Sequence, residues 1–326
     1  MLLAMALAPL LVTLDSWESW KSVAAERGWQ WLSYEKEACN DAAAKGLESL
    51  VSQRANIDRS RVYLIGRGDS AACVFYNASR LPDLWAAAVA VGGDVQRAIE
   101  TNKIFEANLQ AVPILWVTQP DPARRRPAGT VEREQATVQN AIDFLAGRHR
   151  VQWPEKIDCE TGNPNFLRCF WLEIARVDLA RRNDALPSSR LNPGSGAKLL
   201  PGPIKPDDRI LSINGRDPAR FLADAREEKN VAVMVQRGKE RLRLETKTVI
   251  PPREEGATVR VQAEVQPEAK EILIITRGIA QLRLTLPPQW APGTVNWNGV
   301  ASVKLEAPGC HLLAEAAGSV TAAPCR

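Results

Sequence analysis

The residues most able to do chemistry in this chain cluster in Arg61-Val62-Tyr63-Leu64-Ile65-Gly66-Arg67-Gly68-Asp69-Ser70-Ala71-Ala72. An apolar strand, a glycine-flanked turn and a helix of small residues is the arrangement that lifts a nucleophile to the tip of a tight turn, ready to attack an ester carbonyl. Gly66 takes the first glycine position and Gly68 stands at the tip, so the tip carries no reactive group. The nearest hydroxyl belongs to Ser70, two residues further on. Along a helix that step turns a side chain by about 200°, away from the direction a residue at the tip would face. Hydrolysis by a hydroxyl also needs a base and an acid that orients it. Asp121, in Thr118-Gln119-Pro120-Asp121-Pro122, follows an apolar run and is the candidate acid. The chain has two histidines, His149 and His311, and His149 is the one placed to be considered as base for Ser70.

The elements that must position these residues follow an alternating pattern. Strands are predicted over 10–14, 29–33, 61–65, 86–91 and 113–118, with helices over 16–27, 40–54, 71–80, 96–107 and 131–147. Alternation of this kind predicts an α/β fold with a parallel sheet covered on both faces. The turn, the downstream run Cys73-Val74-Phe75-Tyr76-Asn77-Ala78-Ser79-Arg80 and the approach Asn56-Ile57-Asp58-Arg59-Ser60-Arg61 together resemble bacterial α/β-hydrolases of the polyhydroxybutyrate-depolymerase and feruloyl-esterase kind. The resemblance covers about 140 residues of a degenerate core expected over 1–150 and implies an esterase ancestry. It also implies an oxyanion hole after the first strand, an acid after the strand at 113–118, and a base in a loop after one further strand. Asp15-Ser16-Trp17 stands at the first of these places and reads as a helix N-cap, while a carboxylate there would oppose an oxyanion. No further strand is predicted between Asp121 and the helix at 131–147. The expectation is an esterase-derived protein without catalysis, active in binding or scaffolding. The alternative is a serine esterase or peptidase using Ser70, Asp121 and His149.

Beyond residue 150 the texture changes. A hairpin and linker are expected over 151–195, with strands at 151–159 and 167–174. Ile204-Lys205-Pro206-Asp207-Asp208-Arg209-Ile210-Leu211-Ser212-Ile213-Asn214-Gly215, followed by a helix-like segment and two strands, resembles a PDZ domain over 196–252. That resemblance implies capture of a peptide by β-augmentation. The carboxylate-binding loop should precede Ile204, where Gly194-Ser195-Gly196 and Pro201-Gly202-Pro203 stand, so a structural role is expected of this truncated module. Period-two alternation from Val259 onward predicts an antiparallel β module over 253–326.

Composition bounds the rest. Charged residues make up 25% and the net charge is +4, with Arg124-Arg125-Arg126 the dense basic run; without an aromatic platform it reads as a solvated loop, and no nucleic-acid partner is expected. Six cysteines without a Cys-x-x-Cys predict no metal site and no cofactor. They fall into the pairs Cys39 with Cys73, Cys159 with Cys169, and Cys310 with Cys325. Disulfides would place the protein in a periplasmic or secreted setting, and buried thiols are the alternative. The apolar start, Met1 to Leu14, has no basic flank and is too short to cross a bilayer, so it reads as a strand whose export signal lay upstream. Ten tryptophans are read mainly as core, with Trp17 and Trp20 the candidates for a stacking surface. Ligands consistent with these readings are a peptide or a small ester.

Overall fold

A strand buried on both faces needs an unbroken apolar run, and Leu10, Leu11, Val12 and Leu64, Ile65 supply it here, all of them inaccessible to solvent. The computed structural model describes residues 7–93, 95–99, 101–119, 126–191, 197–225, 227–250, 254, 256–316 and 318–325. Strands β1 (Ala8–Thr13), β2 (Gln30–Ser33), β3 (Ile57–Arg67), β4 (Ala87–Val91), β5 (Ile114–Val117) and β6 (Thr130–Arg133) form one parallel sheet in the order β2-β1-β3-β4-β5-β6. Helices α1 (Glu18–Glu26), α2 (Asp41–Gln53), α3 (Asp69–Arg80), α4 (Gln96–Ile99), α5 (Glu106–Leu109) and α6 (Val138–Ala146) connect them. The predicted α/β core with its parallel sheet is therefore present.

Two helix predictions need correction. The segment 131–147 is not one helix: Thr130–Arg133 is an edge strand with alternating exposure, and the helix begins only at Val138. Its start is fixed by a capping box, in which Thr137 Oγ1 accepts from the Asn140 N–H at 3.1 Å and the Asn140 side chain returns the bond. The segment 96–107 breaks into the short α4 and α5, with Asn102 between them in the left-handed region at φ +59°.

Helix α3 is buried over every residue from Ala71 to Arg80, which requires its polar groups to be satisfied locally. Asn77 does so in part: its Nδ2 donates to the carbonyls of Ala38 and Cys73 at 2.9 and 2.8 Å, while its Oδ1 is buried without a partner among the described residues. The Cys39–Cys73 disulfide ties the same helix to the chain entering α2.

The chain divides into two compact units, one comprising 1–98, 104–191 and 256–326, the other 99–103 and 192–255. In the first, β7 (Lys156–Thr161), β8 (Arg168–Cys169) and β9 (Leu172–Val177) follow the α/β core. In the second, β10 (Lys198–Leu199), β11 (Arg209–Ile213), α7 (Pro218–Asp224), β12 (Asn230–Arg237) and β13 (Glu240–Val249) build a sheet in the order β10-β13-β12-β11, with Val231, Val233, Val235 and Phe221 as its core. The segment Gly194-Ser195-Gly196 lies outside the described residues.

The remaining strands are β14 (Val259–Gln266), β15 (Glu271–Arg277), β16 (Ile279–Leu286), β17 (Gly293–Trp297), β18 (Ala301–Leu305), β19 (Gly309–Ala316) and β20 (Ser319–Pro324). They form two five-stranded sheets, β18-β17-β15-β14-β7 and β20-β19-β16-β9-β8, which share one apolar core including Trp297, Leu282 and Leu313. The expected hairpin between 151–159 and 167–174 does not form. Its two arms enter different sheets, and the Cys159–Cys169 disulfide joins them across the core. The third disulfide, Cys310–Cys325, staples β19 to the end of β20. Three disulfides are consistent with an oxidising extracellular or periplasmic setting. Among the described residues no helix is long and apolar enough to cross a membrane.

One pH-dependent contact organises the second unit. Asp208 accepts two hydrogen bonds from the Arg237 guanidinium, both at 2.7 Å, and one from the Lys205 N–H at 2.9 Å. The Arg237 hydrogen bonds, then that of Lys205, hold its carboxyl down at about 2. Because the folded value lies below the ordinary 3.8, the stability this group contributes is present above that value and is lost as pH falls through about 2. Carboxyl NMR titration should find Asp208 near its depressed value, and Arg237→Gln should return it toward the ordinary carboxylate range; an unshifted Asp208 would refute the contact.

Candidate functional site

The turn between β3 and α3 is built for close approach. Gly68 links the two at φ +55° and ψ −122°, its N–H donating to Val91 O at 2.9 Å and its carbonyl accepting from the Ala71 N–H at 3.0 Å. A Cβ on Gly66 would stand 2.4 Å from Ser70 O, and one on Gly93 would stand 2.1 Å from Gly68 O. A Cβ on Gly68 would meet nothing within 4 Å. The turn is thus tightly packed, with its tip directed into open space and bare.

Ser70 points elsewhere. Its hydroxyl donates to Leu14 O at 3.2 Å, just past the end of β1, and it is the second residue of α3. The neighbouring turn after β1 carries Asp15. Burial raises its carboxyl above the usual range, while the charge of Arg67 and a hydrogen bond from the Arg67 main-chain N–H oppose that shift. The predicted N-cap at Asp15-Ser16 is not formed. The cap position of α1 is Trp17 with no side-chain bond, and the Asp15 carbonyl instead accepts from Thr13 Oγ1 and Ser33 Oγ at 2.8 and 3.1 Å. The Arg67 guanidinium lies over the Trp17 ring, 4.2 Å from its centre, and Trp17 meets Trp20 edge-to-face. The carboxyl ends of β1 and β3 therefore present a carboxylate, a cation and an aromatic face around the bare turn. Of the two tryptophans named as surface candidates, Trp20 is core and Trp17 is partly exposed.

Asp121 lies outside the described residues. His149 sits at the opposite, amino end of the strands: the next residue, Arg150, donates its N–H to Ser60 O at 2.8 Å, and Tyr63 Oη donates to Arg148 O at 2.9 Å. Ser60 lies before Val62, where β3 enters its regular register with β1, and Arg67 ends the strand, so that the five steps from Val62 to Arg67 alone span about 17 Å at about 3.3 Å per residue. The structure does not bring Ser70 and His149 together. The strand that sequence reasoning missed, β6, is followed by Glu134-Gln135-Ala136, so the loop after it contains no histidine. His311 is in β19, its Nε2 2.9 Å from Ala307 O. Among the described residues no group of histidine, cysteine and acidic side chains could hold a metal ion.

The pairing of Arg67 with Trp17 carried no sequence signal, because it joins two loops that meet only when β1 and β3 pair. The absent histidine was legible, since the chain has so few.

No family model matches the chain, and no curated protein matches it in sequence. Among solved structures, the crystal structure of a thermostable esterase is similar at a TM-score of 0.29 and 17% identity, over 44% of this chain and 55% of that one. This chain thus spans about half the length of that esterase.

Proposed function

We propose that the chain is an esterase-derived protein of the α/β-hydrolase fold that has lost catalysis and acts in binding or scaffolding, in a periplasmic or secreted setting. The observation that carries this reading is Gly68, which stands at the exposed tip of a strand-turn-helix whose neighbours Gly66 and Gly93 leave no room for a Cβ. A binding role fits a crevice at this end of the sheet, since open α/β sheets take ligands at the carboxyl ends of their strands. Asp15, Arg67 and Trp17 offer an acceptor, a cation and an aromatic face suited to a small ester or a peptide. They are ill suited to hydrolysis, because the Asp15 carboxylate would oppose a developing oxyanion. The module over 196–252 is assigned a structural role, with a PDZ-like ancestry.

Short-chain p-nitrophenyl esters test the loss of catalysis. The native protein should hydrolyse them no faster than Ser70→Ala, and Gly68→Ser should gain nothing because no base reaches the tip. Turnover that disappears in both Ser70→Ala and His149→Ala would establish the alternative, a serine esterase or peptidase using Ser70, Asp121 and His149.

A further inference from the structure

At the amino ends of the strands, opposite the Gly68 turn, the first unit holds two cavities of about 590 and 370 Å3. The larger has an apolar floor that includes Ala86, Ala111, Pro113, Leu273 and Ile275, contributed by the α/β core and by β15. The smaller is lined by Trp153, Trp171, Arg59, Arg168 and Asp83. Arg150 and Phe170 line both, so the cavities meet at these two side chains in one groove. A volume of this size suits a small organic ligand.

The charges along the groove are unevenly matched. Asp83 takes the Arg168 Nε at 2.7 Å, Glu48 takes the Arg168 Nη2 at 3.3 Å, and Glu264 takes Lys156 at 2.9 Å. Asp158 is held by Arg260 at 2.6 Å. Arg59 is spent on the carbonyls of Val51, Ser52 and Arg54 at the end of α2. Arg148, which also lines the larger cavity, makes no ion pair among the described residues and lies over the Phe144 ring, 4.5 Å from its centre, and Arg150 is left over. Its Nε and Nη2 reach only the carbonyl of Arg59, both at 3.4 Å, and among the described residues no carboxylate forms an ion pair with it. It is half-buried, and that burial pushes its pKa down, with the nearby Asp83 charge opposing and Arg168 adding to the shift.

The waist is also strained. Phe170 adopts φ +53° in the two-residue turn between β8 and β9, a first turn position where glycine is usual and a bulky side chain is rare. Strain held at a cavity wall is characteristic of binding sites.

We propose that this groove binds an amphipathic monoanion, a carboxylate with an unbranched or aryl apolar body. The carboxylate pairs with Arg150 at the waist and the apolar body lies along Pro113, Leu273 and Ile275. The site is independent of the crevice at Gly68 and of the reading given to it.

Octanoate, octanamide and octylammonium, titrated calorimetrically into the intact chain, separate charge from chain length. Octanoate should bind saturably and at least about tenfold more tightly than octanamide, the difference expected for one charge-assisted hydrogen-bonded pair. Octylammonium should not bind measurably. Arg150→Gln should erase the preference for octanoate over octanamide. Ile275→Ser, at an exposed position, should weaken octanoate by a similar factor without adding a charge. Absence of saturable octanoate binding, equal binding of the acid and the amide, or octanoate binding unchanged in both variants would overturn the proposal.

Discussion

Replacing Glu160 by alanine is expected to lower the unfolding free energy by about 3–5 kcal/mol, because it would leave a buried cation and several donors without their partner. The Glu160 side chain is fully buried and accepts from Ser188 Oγ and the Ser189 N–H, both at 2.6 Å, from Ser189 Oγ at 2.8 Å, from Arg277 at 2.9 Å and from Thr258 Oγ1. Its main chain is fixed too: the Glu160 N–H donates to Asn108 Oδ1 at 2.8 Å, and Asn108 Nδ2 donates to Glu160 O at 2.9 Å and Ser79 O at 2.6 Å. This cluster stitches β7 to α5, to the segment before 191 and to β14 and β15. Glu160→Gln keeps the shape but turns an amide toward donors, so it should lose part of the same stability. Burial alone would raise the Glu160 carboxyl, but the donors of Ser188, Thr258 and Ser189 outweigh it and hold the group below the ordinary range. The stability it contributes is therefore present above the ordinary glutamate value and is lost as pH falls through the depressed one. Urea unfolding should show that acid-dependent loss in the native protein and less of it in Glu160→Gln. A change below about 1 kcal/mol in Glu160→Ala would mean the cluster is not a stabilising hub.

The second large effect lies in the glycine turn. Gly66→Ala should cost about 3 kcal/mol or more, because the new Cβ meets the Ser70 carbonyl 2.4 Å away and neither main-chain segment can yield. Gly93→Ala should cost at least as much, adding a left-handed φ of +68° to a 2.1 Å contact with Gly68 O. Gly68→Ala, with open space around its Cβ, should cost only the strain of its positive φ, about 1–2 kcal/mol. The ranking is the test. If all three alanines cost alike, the turn is not packed as described and the tip has no special standing.

Much of the α/β core was legible because its signals are local. Unbroken apolar runs marked β1, β3, β4 and β5, and the small residues after Gly68 marked α3. Helix α6 was placed too early because β6 is four residues long and exposes alternate side chains, a pattern too short to register against the stronger helical period that follows. The Thr137 and Asn140 pair was the available signal for the true start. The arms of the supposed hairpin at 151–174 belong to different sheets, a fact set by pairing with β14 and β16 about a hundred residues downstream. The groove at Arg150 was invisible for the same reason, since Arg150, Phe170 and Ile275 are neighbours only after both sheets close. The bare tip at Gly68 needed no structure to be seen; its conformation and the crowding that enforces it did.

The most direct test of the central claim is mass spectrometry of the folded protein after treatment with a fluorophosphonate, which labels a serine only where it is activated as a nucleophile. The account predicts no labelled serine, at Ser70 or elsewhere. A stoichiometric adduct on Ser70, absent from Ser70→Ala, would contradict it and make the protein a hydrolase.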